Sequence, residues 1–442
     1  MSGIVGLTRR LSVVSAVSRD PFWALATQVV TSGANFLTTV VMVRVMGLTE
    51  FGRFSIAFLL IMVVRNFQLS VVLTPMSTVG PKLSGARQNA YRGFLLANSL
   101  VFSLAASSLI ALGSCLAATI LELNWMWTLF PGLAAANFTS NMAEFYRRHC
   151  FNQKDRQSAM LVEVVRYLVQ LAVLGVLALG AHHWLSPSTG LYTLALGGAA
   201  GCLVGVRRYG VMRWNAPFNR AIWPRHWSLI KWLTPGIVFQ TLLGPGCIVF
   251  ASFFFSEAMV GALRAMQNIS NVLQTPINGM QNIAANTAAH KWFKWGAEVL
   301  KHYLLKMAMA MVGFSIILTI IVIMYRNFII SITMGLHEDG LGILLALFCI
   351  ANVAASINFM STVGLQAMEK GKPITVGSAV GAVLSPFLIV VLVPATGIYS
   401  VPLARILAVM VSTAILLWSL RRELSWHQKD AQGPTFMCKG KL

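Results

Sequence analysis

About twelve apolar stretches follow one another along this chain, each ~18–25 residues long once polar ends are trimmed. That is the length a ~30 Å hydrocarbon layer demands of a helix. Their centres fall near Asn35, Val64, Ser107, Ala135, Leu171, Gly197, Gln240, Asn271, Ser315, Asn352, Leu384 and Met410. Lipid offers no partner to a backbone N–H or C=O, so each stretch must satisfy its own by coiling into a helix. Composition excludes the rival reading, a soluble protein with an unusually large core. Hydrophobic residues make up 57% of the 442 positions, charged residues only 11%, and mean hydropathy is +0.71. The expected fold class is an all-α polytopic membrane protein. The first run, Phe22 to Val45, is too long for a removable signal core and lacks a small-residue cleavage site, so it is expected to remain as a span.

Charge fixes the expected orientation. Basic residues gather in every second connection: Arg9, Arg10 and Arg19; Lys82, Arg87 and Arg92; Arg147, Arg148, Lys154 and Arg156; Arg207 to Lys231; Lys291 to Lys306; Lys370 and Lys372; and Arg421 to Lys441. The alternate connections hold chiefly Arg44, Arg53 and Arg326. The positive-inside rule then places both termini in the cytoplasm. The same asymmetry accounts for most of the +21 formal charge, so anionic membrane lipids are the expected partner of the basic surface, and nucleic acid is not. The basic connection with Trp214, Trp223 and Trp227 reads as a link lying on the inner leaflet.

That connection, 207–228, divides the chain into two sets of six spans, with lobes expected at 1–206 and 229–420 and a cytoplasmic tail at 421–442. Because six is even, both halves cross in the same sense, as parallel repeats about a pseudo-two-fold axis along the membrane normal. A local match supports the repeat. Val71-Val72-Leu73-Thr74-Pro75-Met76 in the second span corresponds to Val272-Leu273-Gln274-Thr275-Pro276-Ile277 in the eighth. Each proline removes a backbone donor, so helix kinks are expected at Pro75 and Pro276.

The eighth span carries the strongest polar signal. Arg264, Asn268, Asn271, Thr275, Asn278 and Asn282 recur at spacings of 4, 3, 4, 3 and 4, which is one face of a helix. Gln267, Gln274 and Gln281 widen it. Such a face must meet protein or a water-filled cavity, which points to passage of a polar solute. Further stripes agree: Gln28, Thr31, Asn35 and Thr38; Asn137, Asn141 and Glu144; Glu163, Arg166 and Gln170; and Asn352 with Ser356. Four in-span arginines, Arg65, Arg166, Arg264 and Arg405, face only two in-span acids, Glu144 and Glu163. One reading pairs Glu163 with Arg166 a turn away and lets Arg264 and Arg405 snorkel, but Arg65 then has no obvious partner. Surplus interior cations suit an anionic substrate, and guanidinium matches phosphate oxygens. Six scattered cysteines and eight histidines form no metal-ligand spacing, and no phosphate-binding glycine loop or nucleophile elbow is present. No metal, cofactor or catalytic residue is expected, and the chain does not read as an enzyme.

The sequence VRVMGLTEFGRFSIAF, with Gly47, Glu50, Phe51, Gly52 and Phe54, resembles the G-x-x-E-[FY]-G-x-[FY] loop of bacterial polysaccharide (O-antigen-type) flippases. These belong to the multidrug/oligosaccharidyl-lipid/polysaccharide exporter superfamily. Twelve spans in two six-span halves extend the likeness over residues 20–425. The second-half turn, Ser256-Glu257-Ala258-Met259-Val260-Gly261, keeps an acid and a glycine. The resemblance implies two lobes exporting a polyprenyl-pyrophosphate-linked oligosaccharide across the bacterial cytoplasmic (inner) membrane by alternating access. Polysaccharide polymerase and assembly proteins are the implied protein partners. Arg65, Arg264, Arg166 and Arg405 are expected to form a cationic cavity, lined by Asn35, Asn268, Asn271, Thr275, Asn278 and Asn282. Glu163 and Glu144 are the candidates for ion coupling. Two rivals are a drug/cation antiporter of the same fold and a membrane glycosyltransferase, polymerase or ligase. The antiporter would need interior carboxylates. The enzyme would need an extended extramembrane site, for which His337, Glu338 and Asp339 are the only outer cluster.

Overall fold

A computed structural model describes residues 2–432 apart from 81–82, 84, 121, 154, 181, 211–215 and 337–338. Side chains are described between Ala26 and His427, with gaps that include 216–221 and 281–283. No strand occurs among these residues. In order, the helices are α1 (Ser2–Gln68), α2 (Thr74–Val79), α3 (Gly85–Ile120), α4 (Trp125–Asn152), α5 (Arg156–Gly180), α6 (Pro187–Tyr209) and α7 (Ala216–Leu243). They continue with α8 (Pro245–Ala251), α9 (Glu257–Leu273), α10 (Thr275–Met324), α11 (Arg326–Met334), α12 (Asp339–Ala367), α13 (Gly371–Thr396) and α14 (Ser400–Gln432). Among the described residues, seven continuous helical stretches are long and apolar enough to cross a membrane. Two of them, Ala26–Ser77 and Gly371–His427, run to 52 and 57 residues, enough at ~1.5 Å per residue to cross ~30 Å twice. Each contains a glycine at positive φ, Gly47 at 76° and Gly397 at 54°. The expected class, an all-α polytopic membrane protein with about twelve spans, is the observed one.

Two compact units form: Met1–Thr275 with Ile330–His337, and Pro276–Ile329 with Glu338–Leu442. The division falls within the eighth span rather than at the 207–228 connection, because α9 packs along α1. Nor is that connection a plain loop. From Ala216 onward it is helical, and Ile222 and His226, one turn apart, are buried on the first unit. His226 meets the Val71 carbonyl oxygen at 2.9 Å and the ring of Phe94 edge-on at 5.1 Å. Trp214 lies outside the described residues, as does the tail beyond Gln432.

In the first unit α4 packs against α3, α5 and α6, while α5 also packs on α1. Its helices are amphipathic in the sense lipid requires. On α3 the serines Ser99, Ser103, Ser107 and Ser114 are buried, whereas Leu104, Leu109, Leu112 and Leu116 are exposed. Lipid replaces water on the leucine face, and Ser99 and Ser107 bond inward, as membrane helices pack. Asn137 donates to Ser107 at 2.9 Å and Gln68 to Ser99 at 3.0 Å. In the second unit α14 packs against α12 and α13 around Leu300, Leu304, Met360, Val363, Leu416 and Leu420, and Lys370 bridges Glu423 at 2.9 Å.

Two turns of the first unit meet more closely than side chains would permit. Gly47 reverses the chain between the first two spans with φ 76°. Five residues on, a Cβ at Gly52 would stand 1.7 Å from the Glu257 carbonyl oxygen, and one at Gly261 only 2.2 Å from that of Leu48. Backbone therefore lies on backbone where α9 begins, so neither position accepts any other residue without displacement. The helical bonding pattern changes just before both Thr-Pro pairs. A π-helical turn, Leu69–Leu73, precedes Thr74-Pro75, and α9 ends at Leu273 before Thr275-Pro276.

Candidate functional site: a polar pocket and a charged cluster in the first unit

The first span, the second span and α9 converge with α5 and α6 on a small polar cleft. Asn35, Thr38 and Thr39 come from the first span, Phe51, Phe54, Ser55 and Phe58 from the second, Gln170 from α5, Leu194 from α6, and Arg264 and Asn268 from α9. Their spacings explain the convergence: Asn35, Thr38 and Thr39 share one face of α1, and Arg264 and Asn268 are one turn apart on α9. Asn268 donates to Thr39 at 2.6 Å and Gln170 to Thr38 at 2.9 Å, fixing the walls.

Arg264 is only 7% exposed, and among the described residues no carboxylate pairs with it. Its guanidinium donates to Gln267 Oε1 at 2.6 Å and to Met62 Sδ at 3.4 Å, and lies 5.6 Å from the centre of the Phe58 ring. Neutral partners and a ring face soften the desolvation of a cation but do not cancel its charge. The arginine is thus held in place with its charge uncompensated on the wall of a polar cleft.

Next to this cleft is a charged cluster. Glu144 on α4 takes Arg147 through both carboxylate oxygens, at 2.6 and 2.9 Å, and Arg148 at 3.0 Å. Glu163 on α5 accepts from Thr31 at 3.0 Å and faces Arg147 at 3.8 Å. Arg166, buried one turn beyond Glu163, lies over the Tyr167 ring at 5.4 Å. Half-buried Arg65 is within electrostatic reach of Glu144, Tyr167 and Arg264, and so links the cluster to the pocket. Four arginines therefore stand around two carboxylates, and the surplus is positive.

Of the residues singled out in the sequence, Arg65, Arg166, Arg264, Asn35, Asn268, Glu144 and Glu163 come together in this unit. Asn271 is exposed on α9, and Thr275 stands at the start of α10. Arg405 is half-buried on α14 in the second unit. The side chains of Asn278 and Asn282 lie outside the described residues, and so do those of His337, Glu338 and Asp339. Sequence reasoning missed Arg147, Thr39 and Phe58. Arg147 had a readable signal, because Glu144 and Arg147 are three apart, the spacing at which helical ion pairs meet.

These features define a polytopic helical membrane protein with a cationic polar pocket among its spans. No protein-family model matches the sequence, and no curated protein does. Solved structures do match, nearly end to end. The MATE multidrug transporter DinF-BH in complex with R6G superposes with TM-score 0.70 at 14% identity, covering 92% of this chain and 95% of its own. The lipid II flippase MurJ, in an inward closed conformation, gives 0.68 at 11% identity, covering 90% and 87%. An inward-facing multidrug resistance MATE family transporter of the MOP superfamily gives 0.67 at 13%, covering 92% and 95%. The chain has the fold of these transporters.

Proposed function

We propose that the protein is a flippase that moves a polyprenyl-pyrophosphate-linked oligosaccharide, a precursor of cell-surface polysaccharide, across the bacterial cytoplasmic membrane. The observation that carries this reading is Arg264, a buried guanidinium with no counter-ion among the described residues, on the wall of an amide- and hydroxyl-lined cleft. Pyrophosphate would compensate that charge, with Arg65 and Arg166 adding to the field. Asn35, Thr38, Thr39 and Asn268 suit sugar hydroxyls, and Phe51, Phe54 and Phe58 suit sugar rings or isoprenoid. The fold adds support from its range of cargo, since one matching structure is a lipid II flippase. Both termini are cytoplasmic in this reading, and polysaccharide polymerase and assembly proteins are its protein partners.

A drug/cation antiporter is the second reading, favoured by the burial of Glu144 and Glu163. Both carboxylates already face Arg147, which leaves them poorly suited to attract a cationic drug. Flipping of a polyprenyl-pyrophosphate oligosaccharide in proteoliposomes separates the two. Wild type is expected to flip it, and Arg264→Ala and Arg65→Ala, folded by gel filtration, to lose at least about tenfold in rate, roughly 1.4 kcal/mol. Wild-type flipping with unaffected variants would return those arginines to a structural role. Absence of flipping with several glycans, alongside proton-driven efflux of an organic cation, would establish the antiporter.

A further inference from the structure

A second, small pocket opens where α2, α3 and α4 end on the side carrying the basic connections. It shares no residue with the cleft around Arg264. Met76 and Leu95 line it on the apolar side, and Arg92, His149, Asn152 and Gln153 on the polar side.

The polar groups are unevenly satisfied. Arg92 uses its two terminal nitrogens on Asn89 Oδ1, at 3.2 Å, and on Gln153 Oε1, which occupies both amide oxygens. What remains is a set of nitrogens. Arg92 Nε, His149 Nε2 and Asn152 Nδ2 are all buried and have no hydrogen-bond partner among the described residues. His149 is only 2% exposed, and its ring is wedged between Phe145, stacked at 6.2 Å, and Tyr209, edge-on at 4.9 Å. It therefore cannot swing out to find water. Asp155 is the neighbouring acid, but Ser158, Tyr209 and Arg208 already engage its carboxylate.

Buried donors of this kind are costly unless something accepts from them. A ligand that satisfies a guanidinium, an amide and an imidazole N–H together must bring several acceptor oxygens and negative charge. A tetrahedral phosphate does so, and carboxylate, with two oxygens in one plane, does so less well. We propose that this pocket binds a phosphate oxyanion, with Arg92 as the charged partner and Asn152 and His149 as the further donors. The phosphate comes either from an anionic lipid headgroup, whose glycerol carbons would meet Met76 and Leu95, or from a soluble phosphate. The site stands apart from the transport reading and holds whether or not the protein flips a lipid-linked glycan.

The test uses the full-length protein in nanodiscs. One arm keeps phosphatidylcholine discs and titrates inorganic phosphate, and the other replaces part of the lipid with phosphatidylglycerol. Thermal unfolding and retained lipid by native mass spectrometry are read in both. Stabilisation in either arm is expected, with Arg92→Gln raising the half-saturating concentration at least about tenfold and Lys301→Gln, an exposed cation on α10 that lines neither pocket, leaving it unchanged. A response to inorganic phosphate identifies a soluble ligand, and a response to phosphatidylglycerol alone identifies a lipid. If Arg92→Gln does not fold, Asn152→Leu serves instead, since the Asn152 amide nitrogen has no partner among the described residues. Stabilisation in neither arm, or an equal response in a folded variant, would overturn the proposal.

Discussion

Glu144 is the residue on which the charged cluster turns. It is 5% exposed and holds two arginines on the same helix, so removing its charge leaves Arg147 in the interior without its main partner. Breaking one member of a buried pair costs about 3–5 kcal/mol. Glu144→Gln is expected to lower stability by that order in thermal unfolding of the purified protein. Asp155, in the connection before α5, gives a pH-dependent counterpart. Burial alone would raise its carboxyl, but hydrogen bonds from the Ser158 side chain and backbone, Tyr209 and Arg208 outweigh it and bring the group to about 2. Its folded value therefore lies below its ordinary 3.8, so the contribution is complete above 3.8 and fades as pH falls towards 2. Asp155→Asn should therefore lower stability at neutral pH, converge on the wild type below about 2, and flatten the stability loss in that window. The sequence showed that arginines outnumber acids inside the spans, but not which pairs form. Glu163 and Arg166 are neighbours along α5, yet Glu163 turns to Thr31 and Arg147 and Arg166 to a ring. Partner choice depends on which helices pack side by side, which spacing along one helix does not encode.

Helices meet in this protein at positions where a single methyl group decides the outcome. At Gly52 an added Cβ runs into backbone that has no rotamer with which to yield, so Gly52→Ala should destabilise by about 1–3 kcal/mol or more. Gly113, on α3, is the matching control. A Cβ there meets nothing within 4 Å, and Gly113→Ala is expected to be neutral or to gain about 0.5–1 kcal/mol as a better helix former. Equal behaviour of the two variants in thermal unfolding would refute close packing at Gly52. The glycines of the loop motif were visible in the sequence, but their separate duties were not. Gly47 is needed for its dihedral angle and Gly52 for proximity to a turn more than two hundred residues away. The changes of helical bonding before Thr74-Pro75 and Thr275-Pro276 belong to the other kind of signal, because proline acts on its own backbone.

Across the whole molecule, hydropathy made the class of fold legible, since a membrane imposes the same length on every span and leaves little to tertiary choice. The grouping of those spans was not legible in the same way. A basic connection is conspicuous in sequence, yet α9 joins the first unit through contacts that only the folded chain reveals. Orientation can be checked directly: a reporter fused after Leu442 should be active on the cytoplasmic side, and a cysteine at Ser188 should label from outside. Activity of the reverse pattern would invert the basic-connection reading and, with it, the side from which the phosphate pocket is reached.

Arg44 adds a consequence in time. Its guanidinium donates to the Thr333 carbonyl oxygen at 3.0 Å and to that of Ile332, the former 289 residues further along. At ~5–20 residues per second of synthesis, that partner emerges about 15–60 s after the arginine does. During that interval the first span already stands in the bilayer with a cation at its end and no carbonyl to receive it. Arg44 is exposed at the end of that span, so water serves the guanidinium until α11 arrives, and a chain truncated before Ile332 should insert its first span as readily as one ending just beyond Met334.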